Sequence, residues 1–289
     1  MKLEVAKMGA LRLLSPRELA DALGVSESSL KRWVDSGKIQ AARTDGGHRR
    51  IALQEAVRFI RETGAPLARP ELLDMPDIAA SRLGDDAFRH FLVEGDAAGA
   101  RAWLLGRYLA GATVAELCDG PVCEAMHRIG ELWQHDADGV FIEHRATDLC
   151  IQALAQLRAT FEPIATAPFA LGATPEGDPY LVATFMAAMV IASVGLRPIN
   201  LGPNTPVEAL ERAFARYQPA LVWVSASVTV QHARELEAWL KSLPPTTVAV
   251  VGGRSGQDIA GVRYLDSMAD LADVSTSVLR EASASHAEI

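Results

Sequence analysis

The sequence has no uninterrupted apolar run of the roughly 18 residues that a bilayer-spanning helix needs, because Arg, Asp or Glu breaks each candidate. Met1 to Leu14 contains no apolar segment followed by a small-residue cleavage motif, which argues against secretion. Cysteines are few and odd in number (Cys118, Cys123, Cys150), and none forms a close metal-type pair. Reduced, buried helical thiols in a cytoplasm are therefore expected. Internal repeats and low-complexity tracts are also missing. What remains is an ordinary globular composition, 49% hydrophobic and 22% charged, in a chain of 289 residues with room for two or three domains.

The net charge of −8 is unevenly spread. Residues 1–64 hold 12 Lys/Arg against 8 Asp/Glu, and the rest of the chain holds 16 against 28. A basic end on an acidic body fits an anionic partner at one end only. Residues 65–77 read as a linker, with Pro66, Pro70 and Pro76. From 78 to 162 the pattern is helical: apolar residues recur at three- and four-residue spacing over Arg82–Glu94, Ala97–Leu109, Val114–His135 and Phe141–Phe161. Thr113 and Glu116 have the spacing of a capping box. Short connections between these segments predict a four- or five-helix bundle. Residues 163–289 alternate instead. Strands are expected at Phe169–Ala173, Arg197–Leu201, Leu221–Ser225, Val248–Val251 and, more weakly, Val262–Leu265. Helices are expected at Leu181–Val194, Pro206–Tyr217, Gln231–Leu240 and, weakly, Gln257–Ile259. This order predicts a Rossmann-like, flavodoxin-like α/β domain with a parallel sheet, and ligands beyond the carboxyl ends of its strands.

The basic end has the parts of a winged helix-turn-helix. Ser15-Pro16-Arg17-Glu18 opens a first helix with a Ser cap, Pro at the first position and Glu at the third. Gly24-Val25 makes the turn, and Ser26 caps a short second helix carrying Ser28, Ser29, Lys31, Arg32 and Trp33. Polar on one face with two adjacent cations, that helix suits a major groove. Two short strands around Asp45-Gly46-Gly47 then form a hairpin whose tip is expected to carry His48, Arg49 and Arg50, guanidinium groups for phosphates or a minor groove. Trp33 is either a core aromatic or a contact.

Leu30-Lys31-Arg32-Trp33-Val34, Gly37-Lys38-Ile39 and Arg43-Thr44-Asp45-Gly46-Gly47-His48-Arg49-Arg50 resemble the DNA-binding domain of the MerR family over about residues 12–64. The resemblance implies double-stranded operator repeats as partner, with Ser28, Lys31, Arg32, Arg43, His48, Arg49 and Arg50 as contacts. The long coiled coil usual in that family is missing. Trp133, nine residues, then Glu143-His144, together with Asp178-Pro179-Tyr180, Ser225-Ala226-Ser227 and Gly252-Gly253, are similar instead to the CarH/LitR subfamily of light-responsive regulators. That likeness implies a helical cap over a cobalamin-binding Rossmann-like domain, with Trp133, Glu143 and His144 above the corrin and Asp178, Tyr180, Ser225, Ser227, Gly252 and Gly253 around it. An aromatic ring against an adenine, and a Glu-His pair in an apolar cavity, suit such a ligand.

The sequence departs from that pattern on the lower face. The subfamily's Asp-x-His-x-x-Gly reads here Asp178-Pro-Tyr180-Leu-Val-Ala183, so Tyr stands where His ligates cobalt. A phenol is a poor donor beside neutral imidazole. Beside Trp133, where light-sensing members have His, stands Gln134. Adenosylcobalamin is thus implied by the resemblance and opposed by Tyr180, with no metal site expected. The expected function is a cytoplasmic, non-enzymatic DNA-binding regulator, a repressor, acting as a dimer or tetramer. The alternatives are a corrinoid protein of the methyltransferase type, and an adaptor regulator switched by a partner photoreceptor or signalling protein.

Overall fold

The computed structural model describes residues 12–44, 46–132, 138–161 and 165–287. Contacts divide them into two compact units: residues up to Thr113 with Leu132–Phe161, and Val114–Glu131 with the residues after Phe161.

The first unit opens with β1 (Leu13–Leu14), α1 (Pro16–Leu23), α2 (Glu27–Asp35), β2 (Ala42–Arg43), β3 (Arg49–Ala52) and α3 (Leu53–Thr63). The Ser15 hydroxyl accepts from Glu18 N, and Ser15 N donates to the Glu18 carboxylate at 2.7 Å, closing the capping box the sequence predicts. These bonds, the Ser15 backbone N–H foremost, hold the Glu18 carboxyl below the usual carboxylate range. Ser26 caps α2 by accepting from Ser29 N. The strands pair antiparallel in the order β1-β3-β2, with Leu14 opposite Ile51 and Arg43 opposite Arg49. Leu14, Leu19, Leu23, Leu30, Ile39 and Ile51 form the core. Helix α3 closes it with Ala56, Val57, Phe59 and Ile60, an apolar face left unassigned by the sequence reading. The proline-containing segment after α3 is docked: Ala68 N and Arg69 N donate to Ala22 O, and Leu73 and Met75 are buried.

Next along the chain come α4 (Asp86–Glu94), α5 (Ala97–Leu109), α6 (Val114–Leu117), α7 (Cys123–Leu132) and α8 (Gly139–Arg158). Helices α4, α5 and α8 belong to the first unit. There Trp103 of α5 is fully buried, 5.5 Å from the Phe88 ring, and its indole N–H donates to Leu83 O. Helices α6 and α7 group with the second unit. The helix expected over Val114–His135 is not uniform: Pro121 has no N–H to give, and the chain widens into a π-turn over Cys118–Val122. Cys118 and Cys150 are buried as expected, whereas Cys123 is exposed. Burial pushes the Cys150 thiol up to about 12, so it keeps its proton.

The second unit continues with β4 (Phe169–Ala173), α9 (Val182–Val194), β5 (Arg197–Asn200), α10 (Val207–Tyr217), β6 (Leu221–Ser225), α11 (Ala233–Ser242), β7 (Val248–Gly252), β8 (Arg263–Tyr264) and α12 (Met268–Ala287). The strands run parallel in the order β5-β4-β6-β7-β8, the flavodoxin-like winding. Leu210 of α10 with Leu236 and Trp239 of α11 share a core with Leu171, Val222, Val224 and Val251. Helix α9 is apolar all round because it is covered twice, by the sheet and by α12. Helix α12 goes unread in the sequence, since its Ser- and Ala-rich composition hides a narrow stripe; Leu271, Val274 and Val278 are its buried face. Among the described residues no helix is long and apolar enough to cross a membrane.

Asp119, on the π-turn, ties α6 and α7 to this domain. Its carboxylate accepts from Met268 N at 2.7 Å and Ala269 N at 2.9 Å, the first free donors of α12. Ser267 and Asp270 add a reciprocal cap at the same terminus. Asp119→Ala should therefore lower the denaturant midpoint of the sheet domain by an amount equivalent to about 1–2 kcal/mol. A midpoint unchanged by the substitution would show that this cap contributes nothing.

Candidate functional site

Helix α2 presents Ser28, Lys31 and Arg32 to solvent, while Leu30 between them anchors the helix in the core. Lys31 pairs with Glu27 one turn earlier, at 2.8 Å, and Arg32 touches the Ser29 hydroxyl at 3.2 Å. Such exposed pairs are worth about 0–1 kcal/mol and yield readily to a phosphate or base edge. Trp33 is half-buried, its ring 5.0 Å from Phe59 of α3, which gives it the core role.

The wing turns earlier than the sequence suggests. Gly47 N donates to Thr44 O and Thr44 N to His48 O, so the hairpin closes at His48. Arg49 and Arg50, expected on the tip, lie in β3 and are half-buried; Asp45 is outside the described residues. Arg43 and His48 are exposed. Arg49 reaches back to α2 and meets Asp35 at 2.5 Å. It thus braces the wing against the end of α2. The sequence carries one cue to this bond, an acidic residue closing a helix otherwise suited to phosphates. Glu55 and Arg58 of α3 brace the other side, accepting from Gln40 N and donating to Lys38 O.

In the second unit the loops after β4, β5 and β6 converge where the strand order reverses, the usual ligand position in such sheets. Asp178 has no exposed surface. Its Oδ1 accepts from Tyr180 N at 3.1 Å, and its Oδ2 accepts from Ser227 N at 2.5 Å and Val228 N at 3.2 Å. Asn204 joins the knot, its N donating to Asp178 O and its side chain accepting from Gly177 N. The Tyr180 ring projects outward, 54% exposed, while its carbonyl accepts from Thr174 Oγ1. Ser225 lies opposite Gly252 in the β6–β7 register and is buried. Gly253 has φ of 86°, and a Cβ there would strike Ala226 O at 2.5 Å, so only glycine lets these two loops meet.

Behind this edge, the face of β4 below α9 is filled by Trp223. Its ring lies so close over Gly172 that a Cβ on that residue would sit 2.1 Å from it. The indole N–H donates to Thr184 Oγ1, which donates to Asn200 Oδ1, a buried polar chain with each member partnered. Trp223, Thr184 and Asn200 were not among the sequence candidates, and only a Trp within an otherwise aliphatic strand hints at them. In the first unit, Glu143 and His144 stand at the start of α8, 3.4 Å apart, with His144 largely in water and Thr147 Oγ1 donating to Glu143. Trp133 lies outside the described residues.

Comparison with known proteins fits this geometry. Residues 13–63 match the helix-turn-helix domain family and residues 85–158 the B12 binding domain family. The HTH-type transcriptional repressor CarA of Myxococcus xanthus is 26% identical, over 88% of this chain and 93% of its own. The structure of the monomethylamine corrinoid protein of Methanosarcina barkeri shares the fold at 17% identity, with a TM-score of 0.52 over 66% of this chain and 96% of its own. The chain therefore carries a helix-turn-helix domain followed by a helical domain of the B12 binding family, and is similar over most of its length to a transcriptional repressor.

Proposed function

We propose that this chain is a cytoplasmic transcription repressor that reads repeated half-sites in duplex DNA, with α2 in the major groove and the wing along the backbone. The observation that carries this reading is the exposed Ser28, Lys31 and Arg32 face of α2 beside a wing held to the same helix by Asp35 and Arg49. The roles divide accordingly. Arg32 reads base edges, Arg43 and His48 meet phosphates, and Arg49 positions the wing. A domain this small covers one half-site, so two or four copies act together through contacts made by residues 78–280. No chemistry is assigned to the chain: it is a binding protein, and its bundle and sheet domains receive the signal.

The loop after β4 does not fit a cobalt ligand. A ligating imidazole is ordinarily oriented by a carboxylate that takes its second ring N–H. Here both Asp178 oxygens are occupied by backbone N–H groups, and tyrosine has no second ring donor to offer. Behind the loop, the Trp223 ring is packed over Gly172 of β4 and bonded to Thr184 of α9. We therefore read the sheet domain as a module that keeps the corrinoid-protein fold without cobalt ligation from this loop.

Arg32→Ala should flatten base preference at one half-site position by about 1–3 kcal/mol. Arg43→Ala should instead weaken all duplexes alike, and reduce the slope of log affinity against log salt by about 0.9. Equal loss on matched and mismatched duplexes for Arg32→Ala would refute its base-reading role.

After mixing with adenosylcobalamin and desalting, the full chain should retain no corrinoid absorbance, or a corrinoid that keeps its own base. Stoichiometric retention that disappears in Tyr180→Phe would mean that the phenol oxygen is a ligand, contrary to this reading.

A further inference from the structure

Helix α3 of the head is bound at both its ends to the ends of bundle helices. Arg61, in the last turn of α3, donates through Nη1 to Tyr108 O and, at 3.0 Å, to Ala112 O, beyond the last turn of α5. Its guanidinium carbon stands 3.7 Å from the centre of the Tyr108 ring, which in turn lies 6.0 Å from the Phe161 ring. At the other end of α3, Gln54 Nε2 donates at 3.0 Å to Ala159 O, the C-cap of α8. Helix C-termini leave carbonyls without partners and carry partial negative charge, so a guanidinium with several donors satisfies both needs at once.

Two further features make this joint stiff. The segment between head and bundle is held down by Ala68 N and Arg69 N on Ala22 O and by Arg12 Nη2 on Leu72 O. Within the head, β3 runs directly into α3, and Trp33 rests on Phe59, so α3 cannot move without carrying α2 and the wing.

We propose that Arg61, assisted by Gln54, is a positioning residue that fixes the DNA-reading head on the bundle and thereby sets which half-site spacing the regulator accepts. This deepens the DNA-binding reading and rests on it for the spacing. The joint itself is tested without DNA. In the full chain with Cys123→Ser, diluted into excess unlabelled chain so that distances within one copy are read, spin labels at Gln40→Cys and Gln156→Cys should give one narrow distance by pulsed electron paramagnetic resonance. Arg61→Ala with Gln54→Ala should spread it into a broad distribution. Arg61→Lys should fall between, because a single ammonium cannot reproduce the guanidinium's fork. A distribution already broad in the parent, or unchanged in the double variant, overturns the proposal.

On duplexes carrying two half-sites, the parent should prefer one spacer length at least tenfold. The double variant should bind several lengths equally, with single-half-site affinity unchanged. A retained spacing preference also overturns it. A parent that binds no duplex at all refutes the functional reading instead, and leaves the distance measurement to decide the joint.

Discussion

A carboxyl group with no exposed surface must be met by donors, and the way Asp178 is met organises the carboxyl edge of the sheet. Leaving a buried polar partner unsatisfied costs about 1–3 kcal/mol each, so three backbone N–H groups on one carboxyl group commit it to the loops. The consequences follow in sequence. The β4 and β6 loops are locked together, Gly253 must be glycine to let the β7 loop approach, and the chain at Tyr180 is held by its backbone while its ring faces outward. Asp178 thus serves the architecture of these loops.

The DNA-reading end rests on a weaker interaction with a geometric purpose. The Asp35–Arg49 pair is partly exposed, and pairs of that kind contribute at most about 1 kcal/mol. Its effect is to tie the wing to the end of α2, the helix that carries Arg32, on the face of the domain proposed to meet a duplex. The packing of α3 carries that connection further down the first unit, to the carbonyl ends of α5 and α8. Among the described residues, the path from the bundle to α2 runs through packed side chains and helix termini.

Much of this was legible in the residues, because local signals carried it. Ser15 and Ser26 placed two helix starts, Ala97–Leu109 has the bounds its periodicity predicts, and Phe169–Ala173 and Leu221–Ser225 are strands over the spans read from the sequence. What escaped depends on tertiary context. The apolar stripe of α12 is too narrow for its composition to announce, the π-turn arises from Pro121 inside an otherwise regular helix, and Arg49 looks free until Asp35 is placed beside it. The Trp223–Thr184–Asn200 chain joins α9 and β5 to β6, which follows only after α10, so no short window of sequence contains it. The expected roles of Glu143 and His144 came from resemblance, and in the fold these two residues are neighbours near the start of one helix.

Every role proposed above depends on α2 and the wing reading DNA sequence. Selection of duplexes from a random pool by the full chain at low salt, followed by hydroxyl-radical footprinting of the winners, tests that claim most directly. The account predicts an enriched repeat of two half-sites, with protected backbone flanking each major-groove contact. Recovery of no common motif, with protection spread evenly along every duplex, would contradict it.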